Sequence, residues 1–451
     1  MSGTLPEVSG WGRYPRIHGR IVPLPSEPDA APAIIGVPGK VIPRGLGRSY
    51  GDASLSTSGA SGAAESASSM LETSQLNSLI SFDNNTGILQ AGAGLSLAEL
   101  LSIFVPQGWF VPVSPGTKWV SLGGAIASDI HGKNHHHAGS FGNHVLALDI
   151  LLGSGELVHA SSTEHPELFR ATIGGMGLTG LIMSATVQLT RMRSSNIRQL
   201  TLKRPHLESV LDGFEEHAAA DYSVAWLDTT AGGKNLGRSL LMLGEEANDE
   251  QLVAAGSARL QIPIEMPKLV MSPLSVRSFN WLYFHKELRE SQSRLIPYDA
   301  YYYQLDAVRD WNLLYGKSGL VQYQCALPEQ GGREALAELL GAMQAAALGS
   351  PITVLKKFGP GNDSPLSFPI AGYTLALDFV ANAKSFALMD HFDQIVEAHG
   401  GRLYLSKDAR MSELFFKRSY PKWEDFQRIR EEYGALGKFA SAQSERLGLE
   451  Q

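Results

Sequence analysis

Hydrophobic and polar positions along the chain follow two periods, and the element type changes where the period changes. Residues 87–93 alternate like a strand, and from Ser96 the spacing turns helical. Ser96 stands three residues before Glu99, the spacing of a capping box, and Pro106 sets the helix end near Phe104. Residues 144–160 hold two apolar runs around Gly153-Ser154-Gly155, which predicts a hairpin. Residues 178–192 read as one long strand. The apolar run 33–41, broken by glycine and proline, reads as strand then turn, and the small, polar stretch 56–70 as a surface loop.

After about residue 193 the texture shifts. "VAWLDTT" and "RSLLMLGEE" read as strands, and 266–299 is rich in Leu, Trp, Phe and basic residues without a clean period. "AYYYQLDAV" and "GLVQYQCALP" read as strands, "GREALAELLGAMQAAA" as a helix, and "ITVLKKFG" and "YTLALDFVA" as strands. "SFALMDHFDQIVEAHG" then reads as an amphipathic helix and "GRLYLSK" as a strand. That order, β-α-β-β-α-β, is one ferredoxin-like unit, so the expected class is α+β, with a second domain built on a large antiparallel sheet flanked by helices and a tail from 408 to 451 that reads as helical and charged. No repeat of 20–50 residues is visible.

Composition narrows the function classes. The chain has 451 residues, 43% hydrophobic and 18% charged, values of a globular protein with more than one core. A net charge of −7 argues against general nucleic-acid binding. Cys325 is the sole cysteine, so an intrachain disulfide is excluded. The N-terminus lacks the apolar core of a signal peptide and no run approaches a membrane span, so the expectation is a cytoplasmic protein, with peripheral membrane contact left open.

Glycine carries the candidate chemistry. Gly175-x-Gly177-x-x-Gly180 has the letters of a nicotinamide-dinucleotide fingerprint, but it leads into the strand-like "LIMSATVQL", whereas that fingerprint must open a helix. Two other glycine-rich loops lie about 70 residues apart: "PRGLGRSYGD" and "SPGTKWVSLGGAIASDIHGKNHHHAGSFGNH". Glycine lets backbone approach a ligand closely, and successive N–H groups form anion nests, so the pair fits a clamp on a pyrophosphate. Histidines 131, 135, 136, 137 and 144 suggest a metal, but Asp129 is the only nearby acid and three adjacent histidines cannot share one face. No metal is expected.

"GLGRSYGD" followed by "GGAIASDIHGKNHH" resembles the FAD-binding region of the vanillyl-alcohol-oxidase-like (PCMH-type) flavoproteins. "GGMGLTGLIM", "WNLLYGKSGLVQYQ", "KKFGPGNDSPLSFPIAGY" and "GGRLYLSKDAR" extend the resemblance across most of the chain, which is most similar to the family of decaprenylphosphoryl-β-D-ribose 2′-oxidases. The resemblance implies a first, FAD-binding domain over 1–192 completed by the segment 408–451, a substrate domain over 193–407, and FAD with its diphosphate against Arg44, Gly45, Leu46, Gly47, Arg48, Ser49, Tyr50 and Gly51. The second loop would add Ser121, Leu122, Gly123 and Gly124, with Gly116 and Thr117 nearby. Ser128, Asp129, Ile130 and His131 would approach the flavin and its linker, Ile182 the adenine end, and Tyr404 the ring system. Relatives with covalent flavin carry a histidine where Asp52 stands, which implies a non-covalent cofactor.

The implied reaction is oxidation of a sugar secondary alcohol to a ketone at the 2′-hydroxyl of a polyprenyl-phosphoryl ribose. It would be the first half of an epimerisation completed by a separate short-chain reductase. Such chemistry needs a hydride acceptor, a proton acceptor and a positive charge near the reduced ring. Lys407 is the expected cation; Tyr50, His131, Tyr404 and Lys407 are candidates for the proton relay, and the sequence does not choose among them. Lys133, Gln324 and Lys356 would meet sugar hydroxyls or phosphate, and Trp226 would wall the pocket. Members of mycobacterial type carry cysteine where Ala376 stands and asparagine where Thr374 stands, so the substrate departs most there. Another polyol, aminosugar or nucleoside, a non-catalytic flavin or sugar-phosphate binder, and a metal-dependent hydrolase remain as alternatives.

Overall fold

The computed structural model describes residues 5–24, 27–57, 68–256 and 260–450. Most of the predicted 56–70 loop, residues 58–67, lies outside them. Two sheets frame the first part. Val41–Arg44 and Arg20–Pro23 flank Ser69–Glu72, all parallel. An antiparallel sheet runs in the order Leu157–Ser161, Val145–Leu151, Leu181–Gln188, Ile88–Gly92 and Leu79–Asp83. The hairpin forms at Gly153–Gly155, with Leu151 opposite Leu157. The capping box forms too: Ser96 and Glu99 satisfy each other's backbone N–H groups at the start of the helix Leu97–Phe104.

The chain end returns to this first part. Val41 N–H donates to Lys438 and Ala440 N–H donates to Val41, so the tail extends the parallel sheet through a bridge at Phe439. Arg430, fully buried, donates to the carbonyls of Leu178 and Phe439 at 3.1 and 2.8 Å. A buried guanidinium with this many acceptors pins the tail in place.

The second part is an eight-stranded antiparallel sheet. Its order is Ser291–Pro297, Asn196–Arg204, Ser239–Glu246, Tyr222–Leu227, Thr353–Phe358, Gly372–Val380, Leu320–Pro328 and Arg402–Leu403. The second half is the expected ferredoxin-like unit. The first half has the same strand order in mirror arrangement, and the halves meet where Ala225 opposes Leu355. Three helices, Leu207–Glu216, Gly332–Ala345 and Ala383–Ala398, cover the outer face with Leu211, Leu336 and Phe392 among the core residues. A fourth, Pro273–His285, lies on the inner face, where Phe284 packs with Val224, Trp226, Leu240 and Met242.

Two expected strands are helices. Residues 33–36 end the helix Glu27–Gly36, whose Ala30 and Ile34 bury one face. Tyr298–Tyr302 is helical because Tyr298, Tyr301 and Tyr302, at i, i+3 and i+4, bury together and Phe110 packs on Tyr298 and Tyr302. That packing overrides tyrosine's strand preference. "GRLYLSK" enters the sheet only at Arg402–Leu403.

Candidate active site

One cavity of about 740 Å³ lies between the glycine-rich loops of the first part and the inner face of the eight-stranded sheet. The first loop leaves the strand Val41–Arg44 and turns at Gly47, whose φ of +64° favours glycine. Among the described residues, the N–H groups of Leu46, Gly47, Arg48 and Ser49 have no hydrogen-bond partner, and neither does the Arg48 Nε. The second loop abuts the first: a Cβ on Gly45 would lie 2.2 Å from the Ser121 Oγ, while Gly116 faces open space. Bare N–H groups on one side and unobstructed glycine on the other form a cradle for an anionic, elongated ligand.

Of the cofactor candidates, the cavity wall contains Gly45–Tyr50, Gly116, Thr117, Ser121, Gly123, Gly124, Ser128, Ile130, His131 and Ile182. It also contains Lys133, Trp226, Gln324, Lys356, Ala376, Tyr404 and Lys407. Five expected residues stand off the wall. Arg44 props the first loop from behind, donating to the Ser9 carbonyl at 2.7 Å. Gly51 packs so tightly on the Asp408 carbonyl that a Cβ would fall 1.7 Å away. Leu122 is a fully buried core residue. Asp129 accepts from Ser140, Gly142 and Asn362 at 2.8 Å each, so its carboxylate ties the loop to the second part instead of facing a ligand. Thr374 lies beneath Gln324 and accepts from its amide at 3.2 Å. The second loop also has fewer free donors than its sequence suggests, because Leu122 and Gly123 donate to Leu95 and Ala93.

The catalytic candidates are brought together. Lys407 follows the short strand Arg402–Leu403, and its Nζ sits 3.6 Å from the centre of the Tyr50 ring. The Tyr404 hydroxyl donates to the Ser128 carbonyl at 2.8 Å, and burial raises its pKa. Burial likewise holds the Tyr50 phenol well above its ordinary range. His131 packs among Phe358, Phe368 and Tyr404, and burial depresses its pKa, so the ring is neutral. The Gln324 amide donates to its Nε2 at 2.8 Å, which leaves the proton on Nδ1, an atom without a partner among the described residues.

Three lysines share the space. Lys133, Lys356 and Lys407 line the cavity, half-buried, and desolvation pulls all three amines down from the ordinary lysine range. Lys356 falls to about 7, with Lys407 adding repulsion, and Lys133 falls to about 7, with Lys356 adding repulsion. Lys133 donates to the Tyr301 carbonyl and Lys407 feels the Asp378 charge, whereas Lys356 has no hydrogen bond or ion pair among the described residues and is the amine with most to gain from an anion.

Sequence reading missed three groups here. Gln322 lines the cavity and donates to Asp378, a fully buried carboxylate whose other oxygen has no partner among the described residues. Burial raises the Asp378 pKa, and its charge pulls the Lys407 pKa back up. The signal was present: Gln322 stands two residues before Gln324, and Asp378 two after Ala376, so strand alternation puts them on the same face. Trp11 was missed as well; it lines the cavity and stacks under Arg48 at 4.2 Å.

The histidine cluster disperses. His135 accepts from the Gly359 N–H, while His136 and His144 pair with the Ala220 and Ala138 carbonyls. Among the described residues no group of three or more His, Cys, Asp or Glu is placed to hold a metal. Asp52, standing where covalent relatives carry histidine, is buried in a double ion pair with Arg446 at 2.8 and 3.0 Å. Gly175–Gly180 leads into the strand Leu181–Gln188, so the dinucleotide-fingerprint reading fails on its geometry.

Known proteins give the same picture. The model of a FAD binding domain family matches residues 38–161, and that of D-arabinono-1,4-lactone oxidase matches 320–447. The decaprenylphosphoryl-beta-D-ribose oxidase of Mycolicibacterium smegmatis is 32% identical over 463 residues, covering 99% of this chain and 98% of that protein. L-gulonolactone oxidase of Bos taurus is 24% identical over 402 residues, covering 84% and 85%. D-arabinono-1,4-lactone oxidase of Kluyveromyces lactis is 30% identical over 150 residues, 32% of this chain and 28% of that protein. With a cradle for an anionic, elongated ligand, a cavity of about 740 Å³ and this similarity along the whole chain, the protein belongs to the FAD-dependent sugar oxidoreductases of the decaprenylphosphoryl-β-D-ribose oxidase family.

Proposed function

We propose that the protein oxidises the 2′-hydroxyl of a polyprenyl-phosphate-linked ribose to the ketone, which a separate reductase then consumes. One observation carries the reading: three desolvated lysines converge on a cavity that the glycine-rich loops also line. The N–H groups of residues 46–49 would hold the diphosphate of FAD, and Asp52, engaged by Arg446, leaves the cofactor non-covalent. The division 1–192 plus 408–451 around 193–407 would put cofactor and substrate in separate domains.

Bound FAD supplies the acceptor for the hydride that leaves the carbinol carbon. The protein must take the hydroxyl proton. Tyr404 already donates to Ser128, His131 accepts from Gln324, and the Tyr50 phenol is held protonated by burial. Lys407 remains: desolvation biases it toward the free amine, so it accepts the proton, and the Asp378 charge stabilises the ammonium that forms. Lys133 and Lys356 bind the substrate phosphate, and His131 Nδ1 is left to orient a sugar oxygen.

The test is anaerobic mixing of the purified holoprotein with a polyprenyl-phosphoryl ribose while following the visible absorbance of oxidised flavin. Bleaching is expected. Lys407→Ala should keep its flavin colour and lose bleaching by roughly a thousandfold; unchanged bleaching in that variant removes Lys407 from the reaction.

A further inference from the structure

The helix Pro273–His285 is amphipathic in an unusual sense, because both of its faces are apolar. Val276 and Phe284 are buried, while Phe279 and Tyr283 line the cavity. The outward face should be polar if it met only water. Instead Leu274, Trp281 and Leu282, spaced i, i+7 and i+8, are 75%, 52% and 62% exposed. The flanking segments continue the pattern: Leu269 is 75% exposed and Leu288 92%. Scattered exposed leucines need no explanation, but a cluster with a tryptophan on one helix and its flanks does.

The charges around this cluster are not those of the whole chain. Residues 260–297 carry five basic and three acidic side chains, in a protein of net charge −7. Two of the three acids are already paired, Glu265 with Arg13 and Glu287 with Arg294. Arg277, Lys286, Arg289 and Lys268 are exposed. Lys286 lies over the Tyr283 ring at 3.5 Å, beside the cavity wall.

We infer that this helix and its flanking loops dock on an anionic lipid bilayer, with the apolar face seated among the acyl chains and the cations among the headgroups. Leucine and tryptophan on one face with basic residues beside them are the composition of an interfacial helix. The surface is continuous with the cavity through Phe279 and Tyr283, so a docked helix would open the active site toward the lipid. That continuity favours a bilayer over a second copy of this chain. The inference rests on the lipid-linked substrate of the proposed function for its purpose, though not for its geometry.

The experiment is flotation of the purified holoprotein with vesicles of phosphatidylcholine alone and of phosphatidylcholine with phosphatidylglycerol, in the absence of substrate. Binding to the anionic vesicles is expected, weakened by salt. The combined variant L274E/W281E/L282E should lose it by roughly tenfold or more. These three side chains do not line the cavity, so flavin content and oxidation of a detergent-dispersed substrate should stay near wild type. Retained flavin also shows that the variant is folded. Wild type that fails to float with either vesicle overturns the inference, and so does a variant that floats undiminished. Concentration-dependent dimerisation abolished by the same substitutions, without vesicle binding, assigns the surface to a second copy instead. Bleaching by the dispersed substrate is scored separately, so failure of the proposed oxidation is distinguishable from failure of docking.

Discussion

The two halves of the eight-stranded sheet share one strand order and differ in what they present to the cavity. The half 196–297 turns Val224, Trp226, Leu240 and Met242 inward, and the helix Pro273–His285 lies over them. The half 320–403 turns Gln322, Gln324, Lys356 and Asp378 inward, and its counterpart helix Ala383–Ala398 stays on the outer face. One half is an apolar wall with a roof, and the other a polar wall left open to the cofactor loops. Period-two alternation makes this cheap in evolution: changing the residue type at every second position converts a packed face into a reactive one, and the outer face that holds the fold together is untouched.

The sharpest test of the polar half is Asp378→Asn. Asparagine can keep a contact with Gln322 but removes the charge that raises the Lys407 pKa. The rate of flavin reduction should fall by roughly ten- to a hundredfold, because the proton accepted by Lys407 loses its counter-charge. The pH profile supplies the more discriminating sign. A base must be deprotonated to act, so activity rises as pH passes its pKa; lowering that pKa moves the acid limb to lower pH. An unmoved limb separates Asp378 from Lys407.

Lys356→Met comes next. For a lysine depressed from 10.5 to about 7, the unfolded chain binds more protons between those values. Folded stability therefore rises with pH through that window, and the full penalty applies below about 7. Methionine removes the penalty. The substrate-free protein should melt at higher temperature than wild type near neutral pH, and the gap should narrow as pH rises. Binding should move the other way, with KM for the phosphorylated sugar roughly tenfold higher and an unphosphorylated analogue little affected. In wild type, kcat/KM for the phosphorylated sugar should fall above about pH 7 as Lys133 and Lys356 lose their protons. Differential melting and substrate-pair kinetics check both directions.

The two halves also differed in how far their sequence could be read. In the second, strands and helices alternate with clear periods, so the ferredoxin-like unit is legible, and with it Gln324 and Lys356. In the first, the helix Pro273–His285 has apolar residues all round it, so no period shows and the repeated topology stays hidden. The front of "AYYYQLDAV", helical as part of Tyr298–Tyr302, misleads for a related reason: its aromatic residues look like a strand until the burial of Tyr298 and Tyr302 against Phe110 is known. The glycine loops were legible as a cradle, because backbone freedom is written in residue type. Which of their members face the cavity was not. Asp129 and Leu122 sit inside the same motif as His131 and Gly123, and only the turn of the chain sends their side chains away.

The smallest effect is expected in the apolar half, and it completes the contrast. Trp226 packs against Tyr283 with ring centres 4.5 Å apart and planes tilted by 52°, and donates its Nε1 hydrogen to the Pro351 carbonyl at 3.0 Å. Trp226→Phe keeps an aromatic ring against Tyr283 and gives up that bond, a cost of about 1 kcal/mol in stability. Because this wall supplies shape and no charge, KM should change by roughly threefold or less and the pH profile should not move. A loss of kcat as large as that of Asp378→Asn would mean that the first half takes part in the chemistry through its aromatic face. The assignment of reaction to one half and enclosure to the other would then have to be abandoned, whatever the strand order says.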